Sequence, residues 1–244
     1  HLFLLMTTTA DPITPILEAP GNAPYVVAQL GQSLDGRIAT VTGESRWINR
    51  EAALAHLHSL RAAVDAVVVG IGTVIADDPL LTVRRVPLLA NQGQPARVVI
   101  DPSGRLPSGA GVLAEDGAPR VAISAIGHAP VAACENIQLE CTESGLCPHA
   151  IVTSLFNRGF KRLLIEGGAR TISKFIDAGA IDRLHVLVAP MIIGSGKSGL
   201  DLEPIDKLDR SLRPPTTVHV LADGDVLFDC DLAAARANLA PESS

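Results

Sequence analysis

The chain has 244 residues, of which 47% are hydrophobic and 19% are charged, and its formal net charge is −6. This length and composition favour a compact globular protein over a disordered one. The negative charge disfavours nucleic acid or an anionic membrane as the main partner, so we expect neither. A phosphorylated small molecule would have to be bound by local arginine or lysine side chains.

Four cysteines are present without a C-x-x-C pair or zinc-finger spacing: Cys134, Cys141, Cys147 and Cys230. We expect free thiols in a reducing compartment and predict no metal site. The apolar stretch 1–6 lacks the length and the basic flank of a secretory signal. No run approaches the roughly 18 apolar residues that span a bilayer. The expected location is the cytoplasm.

Residues 1–23 contain several prolines and little periodicity, so we predict a flexible arm there. A short apolar strand is predicted from Tyr25 to Gly31. Apolar residues at helical spacing predict a helix over 51–63, with Asn49 as its N-cap.

Further along the chain, continuous apolar runs alternate with helical segments. Such runs are typical of strands buried on both faces of a parallel sheet. Strands are predicted at 65–69, 97–101, 120–124, 161–166 and 183–189, and helices at 149–159 and 171–178. Alternating runs at 217–221 and 226–232 flank an Asp-Gly turn and predict a β-hairpin. We therefore predict a single α/β domain over 24–232, with a mostly parallel central sheet flanked by helices, an antiparallel C-terminal hairpin, and a mobile tail at 233–244.

Two glycine-rich turns, Gly70–Thr73 and Glu166–Thr171, each follow a predicted strand and lead towards a helix. Such a turn offers free backbone N–H groups and the positive end of a helix dipole, which suit a phosphate. Gly70–Thr73 matches only the first half of a dinucleotide fingerprint, so we reject a Rossmann fold. The alternative is that both turns serve only to connect a strand to a helix.

Carboxylates and cations crowd the segment that follows the first turn. Asp77 could position or donate a proton, and Arg84 could grip a phosphate with two hydrogen bonds. The alternative is that Asp77-Asp78-Pro79 is a plain turn. Arg61 could bind a ligand or stabilise the end of its own helix, and Trp47 could stack on a cofactor or fill the core.

Together these segments resemble the pyrimidine reductase family of riboflavin biosynthesis, the reductase half of the bifunctional riboflavin deaminase–reductase. That family has a dihydrofolate-reductase-like fold. The resemblance covers roughly residues 24–232. The motifs that carry it lie at 33–37, 43–48, 72–84, 99–101, 166–168 and 189–194.

The resemblance implies NADPH-dependent reduction of the ribosyl group of 5-amino-6-(5-phosphoribosylamino)uracil to the ribityl form. Asp77, and after it Glu166, would assist proton transfer, and Arg61 and Arg84 would hold the substrate phosphate. The implied substrate contacts are Ser45, Arg61, Leu81, Arg84 and Glu166. The implied cofactor contacts are Gly31, Trp47, Gly72, Thr73, Asp77, Gly167, Gly168, Ala169, Arg170 and Thr171.

Several alternatives stay open at this point. A dihydrofolate- or dihydropterin-type reductase on the same fold would not need the arginine pair, and a nucleotide-binding module would show no turnover. The sequence does not decide between NADPH and NADH, or between a uracil and a diaminopyrimidinone substrate. Gln32 departs from the small residue expected beside the nicotinamide, and the zinc deaminase signatures of the bifunctional enzyme do not occur in this chain. A homodimer is expected, with the strand edge at 218–228 as a possible contact.

Overall fold

A computed structural model describes residues 10–46, 48–90 and 92–237. The strands are β1 (Tyr25–Ser33), β2 (Arg37–Thr40), β3 (Ala66–Gly70), β4 (Ala96–Ile100), β5 (Arg120–Ala125), β6 (Glu135–Leu139), β7 (Cys141–Thr142), β8 (Gly145–Leu146), β9 (Arg162–Glu166), β10 (Arg183–Ala189), β11 (Gly196–Ser198), β12 (Thr216–Val220) and β13 (Val226–Asp231). The α-helices are α1 (Thr14–Leu17), α2 (Glu51–Ala63), α3 (Ile71–Asp77), α4 (Pro148–Phe156), α5 (Ala169–Asp177) and α6 (Leu232–Ala237). Within these ranges, no helix is both long and apolar enough to cross a membrane.

The central sheet has nine strands in the order β12-β13-β10-β1-β9-β3-β4-β5-β6. All neighbours from β10 to β6 run parallel, whereas β13 runs antiparallel to both β10 and β12. β2 pairs with β11, and β7 with β8, in two small antiparallel sheets. The predicted fold class, a mostly parallel sheet flanked by helices with an antiparallel C-terminal hairpin, is confirmed.

Strand β3 is apolar throughout and buried at every position, since helices cover both faces of the sheet. In β3, Val67 and Val69 belong to one core together with Leu60 of α2. Val68 belongs to the opposite core, which includes Phe175 of α5 and Leu155 of α4. The alternation of side chains along a strand explains how one apolar run feeds two cores.

The two ends of the described chain differ from the prediction. Residues 10–23 are not wholly a loose arm, because Ile16 of α1 is completely buried against the core that contains Val27 and Leu164. At the other end, α6 continues to Ala237 with Ala235 buried. Both helices are too short to show helical periodicity in the sequence. The residues 1–9 and 238–244 lie outside the described part.

The turn of the C-terminal hairpin caps α2 from a distance in sequence. The completely buried Asp225 accepts hydrogen bonds from the backbone N–H of Arg50, at 2.9 Å, and from the side-chain amide of Asn49, at 3.1 Å. Asp223 accepts one from the N–H of Ala52 at 2.7 Å. The two carboxylates thus satisfy amides that the first turn of a helix leaves unpaired, and they face the positive end of its dipole.

The predicted N-cap was therefore wrong. Arg50 holds the cap position, without a side-chain cap of its own. Asn49 turns its amide towards Asp225 and the carbonyl of Leu187 instead. The sequence around Asn49 does not indicate that the capping carboxylates come from far along the chain; Asp223 follows Ala52 by 171 residues.

We predict that Asp225→Ala lowers the free energy of unfolding by about 2 kcal/mol or more. The substitution removes a helix cap and leaves the Asn49 amide with only its longer hydrogen bond to the carbonyl of Leu187, at 3.3 Å. Urea unfolding followed by circular dichroism measures the change. Asp206→Ala, at an exposed ion pair with Arg210, is the control and should shift stability by less than about 0.5 kcal/mol. An Asp225→Ala protein as stable as the control would contradict the capping role.

Candidate active site

The site lies where two neighbouring parallel strands send their helices to opposite faces of the sheet. β3 and β9 are paired, but α3 packs into one core and α5 into the other. The carboxyl ends of the two strands therefore open into a crevice between diverging helices. Open α/β sheets bind their ligands at such points.

The two glycine turns predicted from the sequence meet in this crevice. A Cβ on Gly70 would lie 2.4 Å from Oγ1 of Thr171, and one on Gly168 would lie 3.0 Å from Oγ1 of Thr73. Gly167 and Gly168 both have a φ of +75°, a backbone conformation that favours glycine. Gly70 is thus required by the close approach, Gly167 by its backbone angle, and Gly168 by both.

Three adjoining cavities follow this edge of the sheet. The first, of about 570 Å³, is lined by Ser45, Gly72, Thr73, Asp77, Gly168, Ala169, Arg170 and Thr171, among others. The second, of about 560 Å³, is lined by Gly31, Ile38, Ser45, Arg46, Ile48, Asn49, Leu54 and Arg84. A third, of about 240 Å³, includes Gly31, Asp77, Leu81, Glu166, Gly167 and Gly168 in its wall. Shared lining residues make the three cavities contiguous: Asp77 lines the first and third, and Gly31 the second and third.

Arg61 and Glu166 form a buried ion pair beneath these cavities. The guanidinium of Arg61 donates from Nε to Glu166 Oε2 at 2.8 Å and from Nη2 to Oε1, and its Nη1 donates to the carbonyl of Thr82 at 2.9 Å. The two side chains are 7% and 12% exposed. The Arg61 guanidinium is thus bound by Glu166 and by the Thr82 carbonyl. Arg61 lines none of the three cavities.

Asp77 and Asp78 are adjacent in sequence but have different surroundings. Asp78 ends α3 in the left-handed region, with a φ of +41°, and its Oδ1 accepts from the N–H of Gly111 at 2.7 Å. Asp77 is exposed to the cleft, and no hydrogen bond or ion pair to its side chain occurs within the described ranges. Asp78 therefore holds the loop, and Asp77 is available to a ligand.

The segment after this turn contains a residue with an unfavourable backbone conformation at the edge of the site. Leu81, 2% exposed, has a φ of +53°, which is rare for a residue with a branched side chain. Its backbone places the side chain in the wall of the third cavity. Strained residues of this kind persist where the surrounding structure fixes them, often at binding sites.

Arg84 is held at its backbone while its side chain is exposed. The N–H of Arg84 donates to Nδ1 of His58 at 3.0 Å. Burial, helped by the nearby charges of Arg61, Arg84 and Arg85, lowers the pKa of His58 to about 4, so the imidazole is neutral near pH 7 and can accept this bond. Arg84 lines the second cavity together with Arg46.

The Ser-Leu-Asp-Gly-Arg segment proves to be a clamp. Asp35 accepts hydrogen bonds from Ser33 Oγ at 2.6 Å and from the N–H groups of Ile193 and Gly194 at 3.1 and 2.7 Å. These bonds, with the one from Ser33 the largest cause, lower the pKa of Asp35 to about 2. The clamp ties the turn between β1 and β2 to the segment before β11, so the small β2–β11 sheet is held over the cleft.

All the predicted site residues that the structure describes lie at these cavities, apart from Arg61 behind them. Trp47 lies outside the described residues. Gln32 points away from the cavities: a Cβ on Gly199 would lie 2.6 Å from its Oε1. The departure at position 32 therefore falls on the other side of β1, because side chains alternate along a strand. Arg46 was missed, since an exposed arginine in a loop carries no periodic signal.

Residues 24–224 match the protein family described as the RibD C-terminal domain. A protein of Methanothermobacter thermautotrophicus named 2,5-diamino-6-ribosylamino-4(3H)-pyrimidinone 5′-phosphate reductase is 38% identical over 200 residues, covering 78% of this chain and 89% of that protein. The riboflavin biosynthesis protein RibD of Aquifex aeolicus is 36% identical over 191 residues, covering 78% of this chain and 52% of that protein.

Among solved structures, RibD of Acinetobacter baumannii superposes with a TM-score of 0.73 at 31% identity, covering 87% of this chain and 58% of that one. The chain thus spans about half the length of the RibD relatives and most of the archaeal reductase. The match of the family to more than three quarters of the sequence leads to one conclusion: this chain belongs to the RibD C-terminal domain family.

Proposed function

We propose that this protein reduces the ribosyl group of 5-amino-6-(5-phosphoribosylamino)uracil to the ribityl form, with NADPH as the reductant. One observation carries the proposal: contiguous cavities join a glycine cradle to the carboxylates of Asp77 and Glu166 and to an exposed Arg84. The archaeal relative's name, a ribosylaminopyrimidinone phosphate reductase, supports the same reaction class. The diaminopyrimidinone in that name is the alternative substrate form.

The turns fit the pyrophosphate of a nicotinamide cofactor. Gly168 precedes the first turn of α5, where the helix dipole favours an anion; the N–H of Thr171 already donates to the carbonyl of Gly168 at 2.9 Å, so the N–H groups of Ala169 and Arg170 are the ones offered to a phosphate. A Cβ at Gly168 would fill the gap that now separates it from Thr73. When bound, the nicotinamide supplies a hydride, and the task of the chain is to hold it against the substrate and to exclude water.

The substrate phosphate belongs in the second cavity, with Arg84. The expected partner, Arg61, is a poor candidate, because its three donor nitrogens already face Glu166 and Thr82. Arg46 takes its place in our proposal, since it lines the same cavity as Arg84. Two guanidinium groups supply the local positive charge that an acidic protein needs for a phosphate.

Glu166 orients the pyrimidine. Its carboxylate is fixed by the fork of Arg61 at the end of β9 and remains in contact with the third cavity. A carboxylate accepts hydrogen bonds from N–H groups, and the amino-substituted pyrimidine presents several. A residue committed to an ion pair is better suited to hold a substrate than to pass on protons.

Asp77 moves the proton. In the overall reaction a hydride is added to C1′ of the ribosyl group, the bond from C1′ to the ring oxygen breaks, and that oxygen takes up a proton. Asp77 lines the cavity that holds the glycine cradle and also the one that holds Glu166. It is thus well positioned to deliver that proton.

The alternatives are a pterin-type reductase and a binding module without turnover. The two arginines of the second cavity, Arg46 and Arg84, disfavour the pterin-type reductase, since a pterin has no phosphate for them to bind. A binding module without turnover would not need a carboxylate such as that of Asp77, which faces the cleft without a protein partner in the described residues.

A homodimer in the cytoplasm, without nucleic acid or membrane partners, stays a prediction. The exposed edge strand β12, with Val218 and Val220, supports the contact between copies.

We predict that Arg84→Ala raises KM for the phosphorylated pyrimidine by about ten- to a hundred-fold, because a charge-assisted hydrogen bond is worth roughly 1.5–3 kcal/mol. The KM for NADPH should barely change. Steady-state oxidation of NADPH measures both. The control is Arg85→Ala, which removes the next arginine from an exposed ion pair with Glu51. Equal effects of the two variants would contradict a phosphate contact of Arg84.

Asp77→Asn should lower kcat by about a hundred-fold or more while KM changes little, since the amide cannot donate a carboxyl proton. Asp78→Asn keeps the acceptor oxygen that holds Gly111 and should retain most of its turnover. Single-turnover oxidation of NADPH with saturating substrate measures the chemical step. Turnover of Asp77→Asn close to wild type would remove Asp77 from proton transfer.

Gly168→Ala should weaken NADPH binding at least ten-fold, because its Cβ would enter the phosphate cradle beside Thr73. Calorimetric titration with NADPH measures the affinity. The positive φ at this position also strains the variant, so the control is Gly159→Ala, which has a φ of +92° and open space around its Cβ. The two variants should lose similar stability, and only Gly168→Ala should lose affinity. Unchanged NADPH affinity in a folded Gly168→Ala protein would disprove the cradle.

A further inference from the structure

The segment that carries Arg84 is held by side chains rather than by a neighbouring strand. Residues 81–84 belong to no helix or strand. The side chain of Gln94 accepts a hydrogen bond from the N–H of Val83 at 2.7 Å and donates one to the carbonyl of Val83 at 3.1 Å. Buried backbone groups outside helices and sheets need partners of this kind.

Two side chains of α2 hold the residues on either side of Val83. Arg61 donates to the carbonyl of Thr82 at 2.9 Å, and Nδ1 of His58 accepts from the N–H of Arg84 at 3.0 Å. His58 and Arg61 are three residues apart in α2, so they lie on the same face of the helix. This face of α2 therefore fixes the loop at the arginine that binds the phosphate in the proposed function.

The surroundings of His58 keep its imidazole in the form that accepts this bond. The residue is 4% exposed, and burial lowers its pKa to about 4, helped by Arg61 on its own helix and by Arg84 and Arg85 on the loop. A neutral imidazole has one nitrogen that accepts and one that donates, so the bond from Arg84 places the proton on Nε2. Protonation would replace the acceptor by a second donor.

The side chain of Arg84 depends on its backbone for its position. It is exposed, and no hydrogen bond or ion pair to its guanidinium occurs among the residues that the structure describes. A long side chain without such support is placed only as precisely as its Cα. Since a displacement of about 1 Å at a binding contact can cost about a hundred-fold in rate, the bond to His58 matters for the phosphate contact.

The same face of α2 also holds Glu166. Arg61 donates from Nε to Oε2 of Glu166 at 2.8 Å. One helix thus holds the carboxylate assigned to the pyrimidine and the backbone of the arginine assigned to the phosphate. The separation of these two contacts is therefore set by α2, and not by two independent loops.

We propose that His58 is a positioning residue for the substrate phosphate: together with Arg61 it fixes the distance from Glu166 to Arg84, and so favours a pyrimidine whose phosphate lies one pentose away. The inference rests on the proposed function, since it needs a phosphorylated pyrimidine in the second and third cavities. His58 lines none of the three cavities, so it acts through Arg84.

The test compares His58→Leu with His58→Asn in the full chain, by steady-state oxidation of NADPH. Leucine removes the acceptor, whereas the carbonyl oxygen of asparagine takes the place of Nδ1. The KM for the phosphorylated pyrimidine should rise by about five- to thirty-fold in His58→Leu and by less than about three-fold in His58→Asn. In both variants kcat and the KM for NADPH should stay within about two-fold.

The matched control is His56→Leu, at a histidine of the same helix that bonds His185 at 2.9 Å instead of the loop. It should lose stability in urea unfolding, and its KM for the phosphorylated pyrimidine should stay within about two-fold. If His58→Leu does not fold, His58→Gln replaces it, because the glutamine carbonyl reaches the position of Nε2 rather than that of Nδ1.

Repeating His58→Leu in the Arg84→Ala background separates positioning from general damage to the site. If His58 acts through Arg84, the second substitution should change KM by less than about two-fold once Arg84 is alanine, because residues that share one interaction are not additive. A purely structural role would raise KM by the same factor in both backgrounds, and this would overturn the inference.

The remaining outcomes distinguish this inference from the proposed function. An unchanged KM in a folded His58→Leu or His58→Gln protein overturns the inference, as does an equal rise in His58→Asn. Either result leaves the proposed function intact as long as Arg84→Ala alone raises KM. An Arg84→Ala protein with unchanged KM, or a wild type that does not turn over the phosphorylated pyrimidine, overturns the proposed function and the inference with it.

Discussion

The site depends on the contact between two strand-to-helix turns, one after β3 and one after β9. The backbone of Gly70 lies against the Thr171 side chain and that of Gly168 against the Thr73 side chain, so each turn leaves no room for a Cβ at its glycine. Because α3 and α5 then leave on opposite faces, the crevice between them cannot close. The glycine cradle, the wall carrying Asp77 and the position of Glu166 all follow from this one arrangement.

The buried Arg61–Glu166 ion pair loses hydration but fixes the position of the Glu166 carboxylate. Burying both charges loses hydration, and such pairs often contribute little net stability compared with apolar packing. Its value is geometric, since it fixes the carboxylate at the end of β9 and ties α2 to the loop through the Thr82 carbonyl. Removing either partner would leave a buried charge uncompensated, which typically costs about 3–5 kcal/mol.

Much of this architecture was predictable because its signals are local. Apolar runs such as that of β3 specify doubly covered strands, and glycines after them specify the turns of the site. Contacts between distant residues were not predictable. Arg61 was expected at the substrate phosphate, and its ion pair with Glu166, 105 residues away, was not foreseen. Asn49 was expected as a cap, but the caps come from the hairpin. Ser33 and Asp35 carry a family motif, yet only the fold reveals that they clamp the segment before β11.

The capping of α2 by Asp223 and Asp225 has a consequence for biosynthesis. α2 contributes Leu54 and Arg61 to the site and its surroundings, but the groups that satisfy its first turn are separated from it by about 170 residues. The central strand β1 likewise waits for β9 and β10 to pair on either side. A chain emerging from the ribosome therefore cannot complete the second cavity until the C-terminal hairpin is released. Such non-local contacts make folding slow and leave the nascent sheet edge open to association with other chains.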